Sequence, residues 1–484
     1  MILNTLLEGI QYEILEGNTA VEVDHIAWDS RSVSNKALFI AVKNTNVDRH
    51  DFVLEAIEKG AIAVIVEHDI KKELPKNVTV IKVKDSRKAM SIIASKYHGE
   101  PMKALKVVGI TGTNGKTSTS YFIAQILESL RVKCGVIGTI QNTVSGVEMK
   151  TKKLNPTTPD SMELQSTFSE MVELGATHSV IEVTSSALAQ DRVYGCEFDV
   201  GVFTNITQDH LEEHGTMENY KKAKLKLFKM CKNAVVNVDD PFSIEILASS
   251  SCKVLGYGVN KKCDFQAQDI KYNNSSVHFN LKHDNKTFKV ELNVPGRFSV
   301  YNILAAIASC NLIGFELEEV IKAVKEIKGV PGRFQAIPNN KGSLVIVDYA
   351  HTPDALKNIL MSVKEITKGR IILVFGCGGN RDSSKRAIMG EIAGTFSDYC
   401  IVTSDNPRKE NPIKIIEDIE KGLMGTNCKF EREQDRKQAI NRALNIAKPE
   451  DAVIIAGKGH ENYQIIKDET IHFSDEEVVL SYFS

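Results

Sequence analysis

The fold of this chain is decided by the stretch Gly109-Ile110-Thr111-Gly112-Thr113-Asn114-Gly115-Lys116-Thr117-Ser118-Thr119. The apolar run over 105–110 predicts a buried strand before the glycines, and apolar residues at helical spacing over 122–130 predict a helix after them. Such a turn binds phosphate, because its backbone N–H groups and the helix N-terminus attract an anion. Lys116 would reach the terminal phosphates, and Thr117 would offer its hydroxyl to Mg²⁺. The stretch therefore predicts a nucleoside triphosphate site. The alternative is a glycine-rich turn that carries Gly-Lys-Thr by chance.

Composition limits the class of protein. A length of 484 residues predicts about three domains. The net charge of −2 gives no basic surface for nucleic acid, and no apolar stretch approaches the ~20 residues of a membrane span. The N-terminus lacks the pattern of a signal peptide, and the nine cysteines contain no C-x-x-C pair. We expect a cytoplasmic protein with reduced thiols that binds neither nucleic acid nor membrane.

The order of the predicted elements indicates an α/β protein in three segments, 1–100, 101–330 and 331–484. Apolar runs alternate with amphipathic stretches, which favours parallel βαβ units in a doubly wound sheet. The predicted strands after the glycine-rich turn are Ser179–Val183, Val200–Thr204, Ala234–Val238, Leu344–Val347, Ile371–Phe375, Cys400–Thr403 and Val453–Ala456. Parallel sheets bind ligands beyond the carboxyl ends of their strands. In the third segment polar or glycine-rich motifs follow all four strands, at 348–351, 376–381, 404–408 and 457–461.

Three residues of the central segment are candidates for chemistry beside Lys116. Glu182 ends one predicted strand, His210 follows another, and Lys224 lies in a basic helical stretch. Taken singly, they are typical of a solvated strand end, a structural histidine and a solvated helix face. Together with Thr117, the carboxylate and the imidazole could hold Mg²⁺ against phosphate oxygens.

The variant Thr-Gly-Thr-Asn-Gly-Lys-Thr-Ser resembles the phosphate loop of the Mur ligases and of their folylpolyglutamate synthetase relatives. These ATP-dependent enzymes join a carboxylate to an amine. The runs 202–205, 209–211 and 214–216, with Tyr220-x-x-Ala223-Lys224, resemble the central-domain signature of the Mur ligases. The resemblance implies that Lys224 is carbamylated to N6-carboxylysine. With Glu182 and His210 it would then organise Mg²⁺ near the phosphates, and a metal site tolerates such an anionic oxygen where it would repel an ammonium.

Further motifs extend the resemblance over essentially the whole chain. Asp29-Ser30-Arg31-Ser32-Val33 resembles the uridine-nucleotide-binding domain of the tripeptide-forming Mur ligases. The resemblance implies three domains: an N-terminal uridine-nucleotide-binding α/β domain, a central P-loop ATPase-like parallel sheet and a C-terminal Rossmann-like domain. Residues implied to contact the UDP-muramoyl substrate are Ser30, Thr157, Thr158, Ser185 and Arg192. Residues implied to contact ATP are Gly112, Thr113, Asn114, Gly115, Lys116, Thr117, Ser118, Asn302, Arg333, Asp348 and His351.

The amino-acid substrate is predicted from Asp405-Asn406-Pro407-Arg408, which resembles the motif of the diaminopimelate-adding members. Diaminopimelate carries one carboxylate more than lysine, and a guanidinium can bind it with two parallel hydrogen bonds. The alternative is a surface arginine in a proline-containing turn. The implied pocket comprises Arg381, Asp405, Asn406, Pro407, Arg408, Gly457 and Glu461. Several positions depart from the family pattern, among them Ser186 in place of His and Asn380 in place of Asp.

The resemblance implies an ATP- and Mg²⁺-dependent ligase. It would add meso-2,6-diaminopimelate to UDP-N-acetylmuramoyl-L-alanyl-D-glutamate through an acyl phosphate, as a monomer, in peptidoglycan precursor synthesis. The alternatives are a lysine-adding Mur ligase, a folylpolyglutamate synthetase and a non-catalytic nucleotide-binding relative. The run Thr157-Thr158-Pro159 and the N-terminal segment argue against the folate enzyme.

Overall fold

The computed structural model describes residues 1–43, 47–70, 74–75, 77–209, 211–273 and 275–484. They form two compact units, which are described in turn. The first comprises Met1–Lys116, Arg131–Val236 and Asp240–Leu255, and the second Thr117–Leu130, Asn237–Asp239 and Gly256–Ser484. In the part of the chain that the structure describes, none of the helices combines the length and the apolar character needed to cross a bilayer.

The first unit begins with a five-stranded sheet in the order β1-β5-β4-β3-β2. Its strands are β1 Tyr12–Glu16, β2 His25–Ala27, β3 Ala37–Ile40, β4 Ala61–Val66 and β5 Thr79–Val83, and its helices are α1 Leu3–Leu6, α2 Val53–Glu58 and α3 Ser86–Tyr97. The β1 strand runs antiparallel to β5, and the remaining neighbours are parallel. Both faces of the sheet are buried, which explains the nearly continuous apolar runs of β3 and β4.

The glycine-rich stretch lies in the second sheet of this unit. Its strands are β6 Lys106–Thr111, β7 Cys134–Ile137, β8 Thr143–Val144, β9 Val147–Glu148, β10 His178–Glu182, β11 Phe198–Phe203 and β12 Cys231–Asn237, in the order β12-β11-β6-β10-β7-β8-β9. The central strand β6 is parallel to both neighbours, β10 and β11. The four strands predicted here from the sequence are therefore confirmed, with shifts of one to three residues at their ends.

Helices of the same region place the candidate residues at these strand ends. They are α4 Lys116–Ser129, α5 Ser161–Glu173, α6 Ser185–Ala189, α7 Leu211–His214, α8 Met217–Leu225 and α9 Ser243–Ser249. Side-chain caps fix several of their starts: Asp160 accepts from the N–H of Glu163, and Thr216 accepts from the N–H of Asn219. The α4 helix begins at Lys116, so the phosphate-loop lysine is its first residue.

The second unit contains β13 Lys253–Gly258 in part, followed by β14 Phe265–Tyr272, β15 Val277–His283 and β16 Lys286–Leu292. The last three are antiparallel neighbours. Two helices follow, α10 Arg297–Leu312, which is almost wholly buried, and α11 Leu317–Val324.

The C-terminal part of the second unit is a six-stranded sheet in the order β17-β18-β22-β19-β20-β21. The strands are β17 Gln335–Ile337, β18 Leu344–Asp348, β19 Ile371–Phe375, β20 Tyr399–Val402, β21 Lys429–Arg432 and β22 Ala452–Ala456, and a hairpin follows, β23 Tyr463–Ile466 with β24 Glu469–His472. The helices are α12 Pro353–Ile366, α13 Lys385–Phe396, α14 Pro412–Leu423, α15 Arg436–Ile446 and α16 Asp475–Phe483. All pairs except β17 with β18 are parallel. The prediction of parallel βαβ units in this segment is confirmed.

Candidate active site

The phosphate loop follows β6 and is folded around its own lysine. The Lys116 ammonium donates to the carbonyls of Gly112, at 2.9 Å, and Thr113, at 2.8 Å. Glycine is required at two positions. A Cβ on Gly112 would lie 1.9 Å from the Thr204 hydroxyl, and Gly115 has φ +84°. The loop thus places one cation at the end of the central strand, where a phosphate would lie.

The segment after β11 holds the loop in place. The Asn205 carbonyl accepts from the N–H of Thr113 at 2.9 Å, and its side-chain oxygen accepts from the N–H of Asn114 at 3.0 Å. The Thr204 hydroxyl donates to the Asn114 carbonyl at 2.6 Å. The end of the neighbouring strand therefore fixes the loop backbone. This favours phosphate binding, because the loop loses little conformational entropy when the ligand binds.

Lys224 lies on α8 and is buried, with 1 % of its surface exposed. Its ammonium nitrogen donates to the Gly112 carbonyl at 2.9 Å and lies 4.5 Å from the centre of the Tyr220 ring. Burial, reinforced by the charge of Lys116, lowers the pKa of Lys224 well below its ordinary value. The interpretation of this residue as part of a solvated helix face is wrong. The site favours a neutral amine, which is the nucleophilic form.

Glu182 ends β10 and is completely buried, which rules out a solvated strand end. Its carboxylate accepts from the backbone N–H of Thr139 at 2.8 Å and from the Thr139 hydroxyl at 3.0 Å. A Cβ on Gly138 would lie only 2.3 Å from the Glu182 carboxylate. In register Glu182 lies opposite Ile110, so the carboxylate and the phosphate loop follow neighbouring strands at the same edge of the sheet.

The sequence did not indicate Lys153, which the structure places beside Glu182. Its ammonium donates to the carbonyls of Gly138, at 2.5 Å, and Thr139, at 2.7 Å. Burial lowers the pKa of Lys153, and the Glu182 charge opposes that shift. Lys153 follows two polar residues in a loop without a motif, so no signal in the sequence could have shown this contact.

His210 lies outside the described residues. Its neighbour in the signature, His214, is described, and its Nε2 lies 3.0 Å from the Ser185 hydroxyl. No group of three His, Cys, Asp or Glu side chains among the described residues is arranged to hold a metal. A carboxylated Lys224 would add an anionic oxygen ligand that does not come from an Asp or Glu side chain. The buried Glu182 carboxylate is an anionic oxygen donor of the kind that divalent cations bind, whereas the unmodified Lys224 offers a metal no anionic ligand.

Four residues of the predicted UDP-substrate set lie around the end of β10. The Thr158 hydroxyl donates to the Glu182 carbonyl at 2.8 Å, and Arg192 donates to the Thr158 carbonyl at 3.0 Å. The hydroxyls of Thr157 and Thr139 are 3.2 Å apart. The fourth residue, Ser185, begins α6 one position after Thr184, whose hydroxyl oxygen lies 3.1 Å from that of Thr158.

Ser30 and the unusual Ser186 complete the comparison with the predicted set. Ser30 is buried in a 3₁₀ turn, Ser30–Ser32, that Asp29 caps by accepting from the N–H of Arg31. The Ser30 carbonyl accepts from the Lys59 ammonium at 3.2 Å. The Ser186 hydroxyl accepts from the Gln190 amide at 3.2 Å, and the Gln190 oxygen accepts from Arg192 at 2.8 Å. At the position where the family has His, a hydroxyl therefore takes part in orienting the arginine.

Residues predicted to face the nucleotide are also found in the second unit. The Arg333 guanidinium lies 4.6 Å from the centre of the Tyr349 ring, and its Nε is buried without a hydrogen-bond partner among the described residues. The Asp348 carboxylate accepts from the N–H groups of Phe334, at 2.6 Å, and Ala350, at 2.8 Å. His351 donates from Nδ1 to the Tyr349 carbonyl at 2.8 Å. The Asn302 side-chain oxygen is buried and accepts from the Thr119 hydroxyl at 3.4 Å.

The predicted amino-acid pocket is assembled within the second unit at the ends of β19, β20 and β22. Arg408 has φ +50°, and its N–H donates to the Ile465 carbonyl at 3.0 Å. Its guanidinium donates to the Gly379 carbonyl at 2.9 Å. A Cβ on Gly378 would lie 3.0 Å from this guanidinium and 3.9 Å from Cγ of Arg381. The two arginines are therefore adjacent, and the interpretation of Arg408 as a mere surface residue is not supported.

Asn406 and Lys458 meet at the carboxylate of Glu461. Asn406 donates from Nδ2 to Oε2 of Glu461 at 3.0 Å, and the buried Lys458 donates to the same oxygen at 3.0 Å. Asp405 lies beside Gly457, where an added Cβ would be 2.8 Å from its carboxylate. A Cβ on Gly379 would lie 2.0 Å from the Pro407 carbonyl, which explains the glycine there. The sequence motif contained Lys458, but its role was not predicted.

Asn380, the second departure from the family pattern, has φ +53°. Asparagine adopts this left-handed conformation more readily than most residues. Its side-chain oxygen accepts from the N–H of Lys409 at 3.0 Å, and its own N–H donates to the Glu410 carboxylate. The substitution therefore joins the β19 loop to the turn that carries Arg408.

Three family models match the chain in succession: "Mur ligase family, catalytic domain" over 22–98, "Mur ligase middle domain" over 110–310 and "Mur ligase, glutamate ligase domain" over 332–459. The chain belongs to the Mur ligase family. A relative from Clostridium acetobutylicum, named UDP-N-acetylmuramoyl-L-alanyl-D-glutamate–2,6-diaminopimelate ligase 2, is 46 % identical over 479 residues, which cover 99 % of each protein.

Solved structures agree with the sequence comparison. A UDP-N-acetylmuramoyl-L-alanyl-D-glutamate–2,6-diaminopimelate ligase superposes with a TM-score of 0.73 at 32 % identity, covering 100 % of this chain and 98 % of the other. The MurF ligase from Thermotoga maritima in complex with ADP shares the fold, with a TM-score of 0.61, 22 % identity and coverage of 95 % and 96 %. The predicted three-domain Mur ligase architecture is thus confirmed.

Proposed function

We propose that this Mur ligase joins meso-2,6-diaminopimelate to UDP-N-acetylmuramoyl-L-alanyl-D-glutamate at the expense of ATP. The observation that carries the choice of amine is the arrangement at Gly378, where the guanidinium of Arg408 lies beside Arg381. The Glu461 carboxylate reaches the same motif through Asn406. Two cations and an anion suit an amino acid with a second carboxylate. The 46 % identical relative carries the same activity in its name.

The first chemical step is assigned to the phosphate loop. The γ-phosphoryl group of ATP passes to the D-glutamyl side-chain carboxylate, because a free carboxylate is a poor electrophile toward an amine. Lys116 would exchange its bonds to the Gly112 and Thr113 carbonyls for phosphate oxygens and neutralise charge that develops in the transition state. The ADP-bound MurF structure with the same fold supports a nucleotide site of this kind.

Thr117, Glu182, His210 and a carbamylated Lys224 are the proposed ligands of Mg²⁺. When bound, the metal would neutralise phosphate oxygens. Lys224 is suited to carbamylation because its buried amine favours the uncharged, nucleophilic form. Carbamylation would also place a negative charge beside Lys116, which a protonated Lys224 would repel.

The acyl phosphate is then attacked by the amine, and inorganic phosphate leaves as the amide forms. Thr157, Thr158 and Arg192 lie in one hydrogen-bonded group around Glu182 and are the proposed contacts to the UDP-muramoyl dipeptide, with Ser30 and Ser185. In the amine pocket, lysine would leave Arg408 without the carboxylate it binds. Sites built around such a bond can reject the analogue by ~10⁴–10⁵.

The test is an assay of phosphate release with ATP and UDP-N-acetylmuramoyl-L-alanyl-D-glutamate, comparing meso-diaminopimelate, L-lysine and no amine. We expect release with diaminopimelate and little with lysine. Equal use of lysine would replace the proposal by a lysine-adding ligase. Release that requires neither amine nor the UDP substrate would indicate a different ATPase.

Three further assignments accompany the proposal. The domain boundaries are placed at 1–100, 101–330 and 331–484, close to the limits of the three family models. The reaction is assigned to the cytoplasm, where ATP is available and where the nine free cysteines would stay reduced. The chain is assigned as a monomer, which sedimentation analysis would test directly.

A further inference from the structure

Lys458 is a buried cation at the centre of the amine pocket. Its side chain is 0 % exposed, and its ammonium donates to Oε2 of Glu461 at 3.0 Å and to Oδ1 of Asn406 at 3.3 Å. It also lies 5.3 Å from the centre of the Tyr463 ring. Burying a charged lysine away from water costs free energy unless the ammonium is paired. The pairing with Glu461 and Asn406 is therefore needed to keep Lys458 in this position.

The orientation of Asn406 is fixed from a third direction. The backbone N–H of Ile465 donates to Oδ1 of Asn406 at 2.9 Å. A backbone N–H can only donate, so this atom must be the amide oxygen, and the amide nitrogen must face Glu461. That nitrogen donates to Oε2 of Glu461 at 3.0 Å. Lys458, Asn406 and Glu461 therefore form a closed group in which each side chain is hydrogen-bonded to the other two.

We infer that Lys458 is a positioning residue for diaminopimelate, acting through Glu461 and Asn406; the inference rests on the proposed function. Asn406 and Lys458 both donate to Oε2 of Glu461, and the Tyr463 side chain also interacts with this carboxylate. The carboxylate that these contacts hold in place is the acceptor that we assign to an ammonium of the substrate. Lys458 holds the carboxylate in one rotamer before the substrate binds, so binding requires less ordering of the pocket.

The experiment compares Lys458→Met with the parent enzyme in steady-state kinetics, varying each of the three substrates separately. We expect KM for diaminopimelate to rise at least about 30-fold, as is typical when one member of a buried charge pair is removed. KM for ATP and for the UDP substrate should stay within about threefold of the parent values, because the phosphate loop is built from other residues.

A double-mutant cycle with Glu461→Gln distinguishes positioning from a general structural effect. If Lys458 acts through Glu461, the methionine substitution should change KM for diaminopimelate far less in the Glu461→Gln background than in the parent. Additive effects would overturn the inference, as would an unchanged KM in Lys458→Met. If the methionine variant does not fold, Lys458→Gln provides the same test, since it removes the charge and retains one donor.

Arg370→Met is the matched control. Arg370 pairs with Asp451 at 2.7 Å and lies at the opposite end of the strands, just before β19. Its loss should lower the melting temperature without raising KM for diaminopimelate; a rise equal to that of Lys458→Met would indicate general loosening and overturn the inference. The proposed function is tested separately, by whether the parent enzyme uses diaminopimelate at all. The inference about Lys458 depends only on the ratio of the KM of the variant to the KM of the parent.

Discussion

The ammonium nitrogens of Lys116 and Lys224 donate to one carbonyl oxygen, that of Gly112, each at 2.9 Å. Two lysines that share an acceptor repel each other if both are charged. The buried Lys224 is the one whose pKa falls, and burial is the main cause. In the unmodified protein, burial and the nearby Lys116 therefore both disfavour a positive charge on Lys224.

Lys224→Met should stabilise the fold at neutral pH in buffer free of CO₂, even though it removes activity. Folding lowers the pKa of Lys224, whereas the unfolded chain protonates the amine below its ordinary pKa of about 10.4. The unfolded state thus binds the extra proton, so stability of the parent rises with pH from the lowered folded pKa up to about 10.4. In denaturant unfolding, the free energy of unfolding of the methionine variant should exceed that of the parent by more at pH 7 than at pH 10. A constant difference would contradict the lowered pKa.

Lys224→Ala should abolish or severely reduce ligation because the proposed carbamate oxygens are lost. The buried position of the side chain leaves a cavity that a short carboxylic acid can enter. We expect partial recovery of phosphate release when acetate or formate is added, and no such effect of these acids on the parent. Normal turnover of Lys224→Ala without them would show the carbamate assignment to be wrong.

Lys116→Ala should lose ATP turnover, because the carbonyls of Gly112 and Thr113 cannot replace a cation at the γ-phosphate. Loss of one such electrostatic contact costs on the order of 10²–10³ in kcat. The exposed Lys222 on α8 provides the control, since Lys222→Ala removes a cation from the same region without touching the loop. Activity of Lys116→Ala within a few-fold of the parent would refute the phosphate-loop assignment.

Gly138→Ala should impair catalysis through Glu182 alone. The added Cβ would lie 2.3 Å from the carboxylate, so the side chain must move, and a displacement near 1 Å can cost about 10²-fold in rate. Gly425→Ala is the control, because its nearest neighbour, the Gly422 carbonyl oxygen, is 3.7 Å away. The measurements are kcat and the melting temperature of both variants. Full activity of Gly138→Ala would mean that the position of Glu182 does not matter.

The sequence predicted the strands that are buried on both faces, such as Ile371–Phe375, because their side chains form continuous apolar runs. It did not predict β21, whose residues Lys429–Arg432 are mostly polar and half-exposed. Motifs at strand ends located Glu182 and the Asn406–Arg408 turn, and a motif in a helical stretch located Lys224.

Lys153 and Lys458 could not be assigned from the sequence for a different reason. The role of each lysine depends on the acceptor that its ammonium reaches after the chain has folded. Lys153 donates to the carbonyls of Gly138 and Thr139, and Lys458 donates to the Glu461 carboxylate. A lysine in a loop looks the same in the sequence whether it is solvated or buried. Only tertiary structure separates the two states.

Arg408→Ala should raise KM for diaminopimelate sharply and leave the kinetics of ATP and of the UDP substrate nearly unchanged. The guanidinium is held by the Gly379 carbonyl on one side and by backbone pairing with Ile465, so it is oriented before substrate binds. Loss of a charge-assisted bidentate contact costs roughly 2–5 kcal/mol when the partner is buried. Arg408→Lys should not restore binding, because an ammonium cannot form the two parallel bonds.

The adjacent Lys409 is exposed and pairs with Asp468 at 3.1 Å, so Lys409→Ala controls for loss of a charge in the same turn. Its KM for diaminopimelate should equal that of the parent. Unchanged diaminopimelate kinetics in Arg408→Ala would place the carboxylate pocket elsewhere. A parent enzyme that uses L-lysine as efficiently as diaminopimelate would refute the assignment, whatever the variants do. The second carboxylate, which lysine lacks, would then contribute nothing to binding, and Arg408 would have no role in the choice of amine.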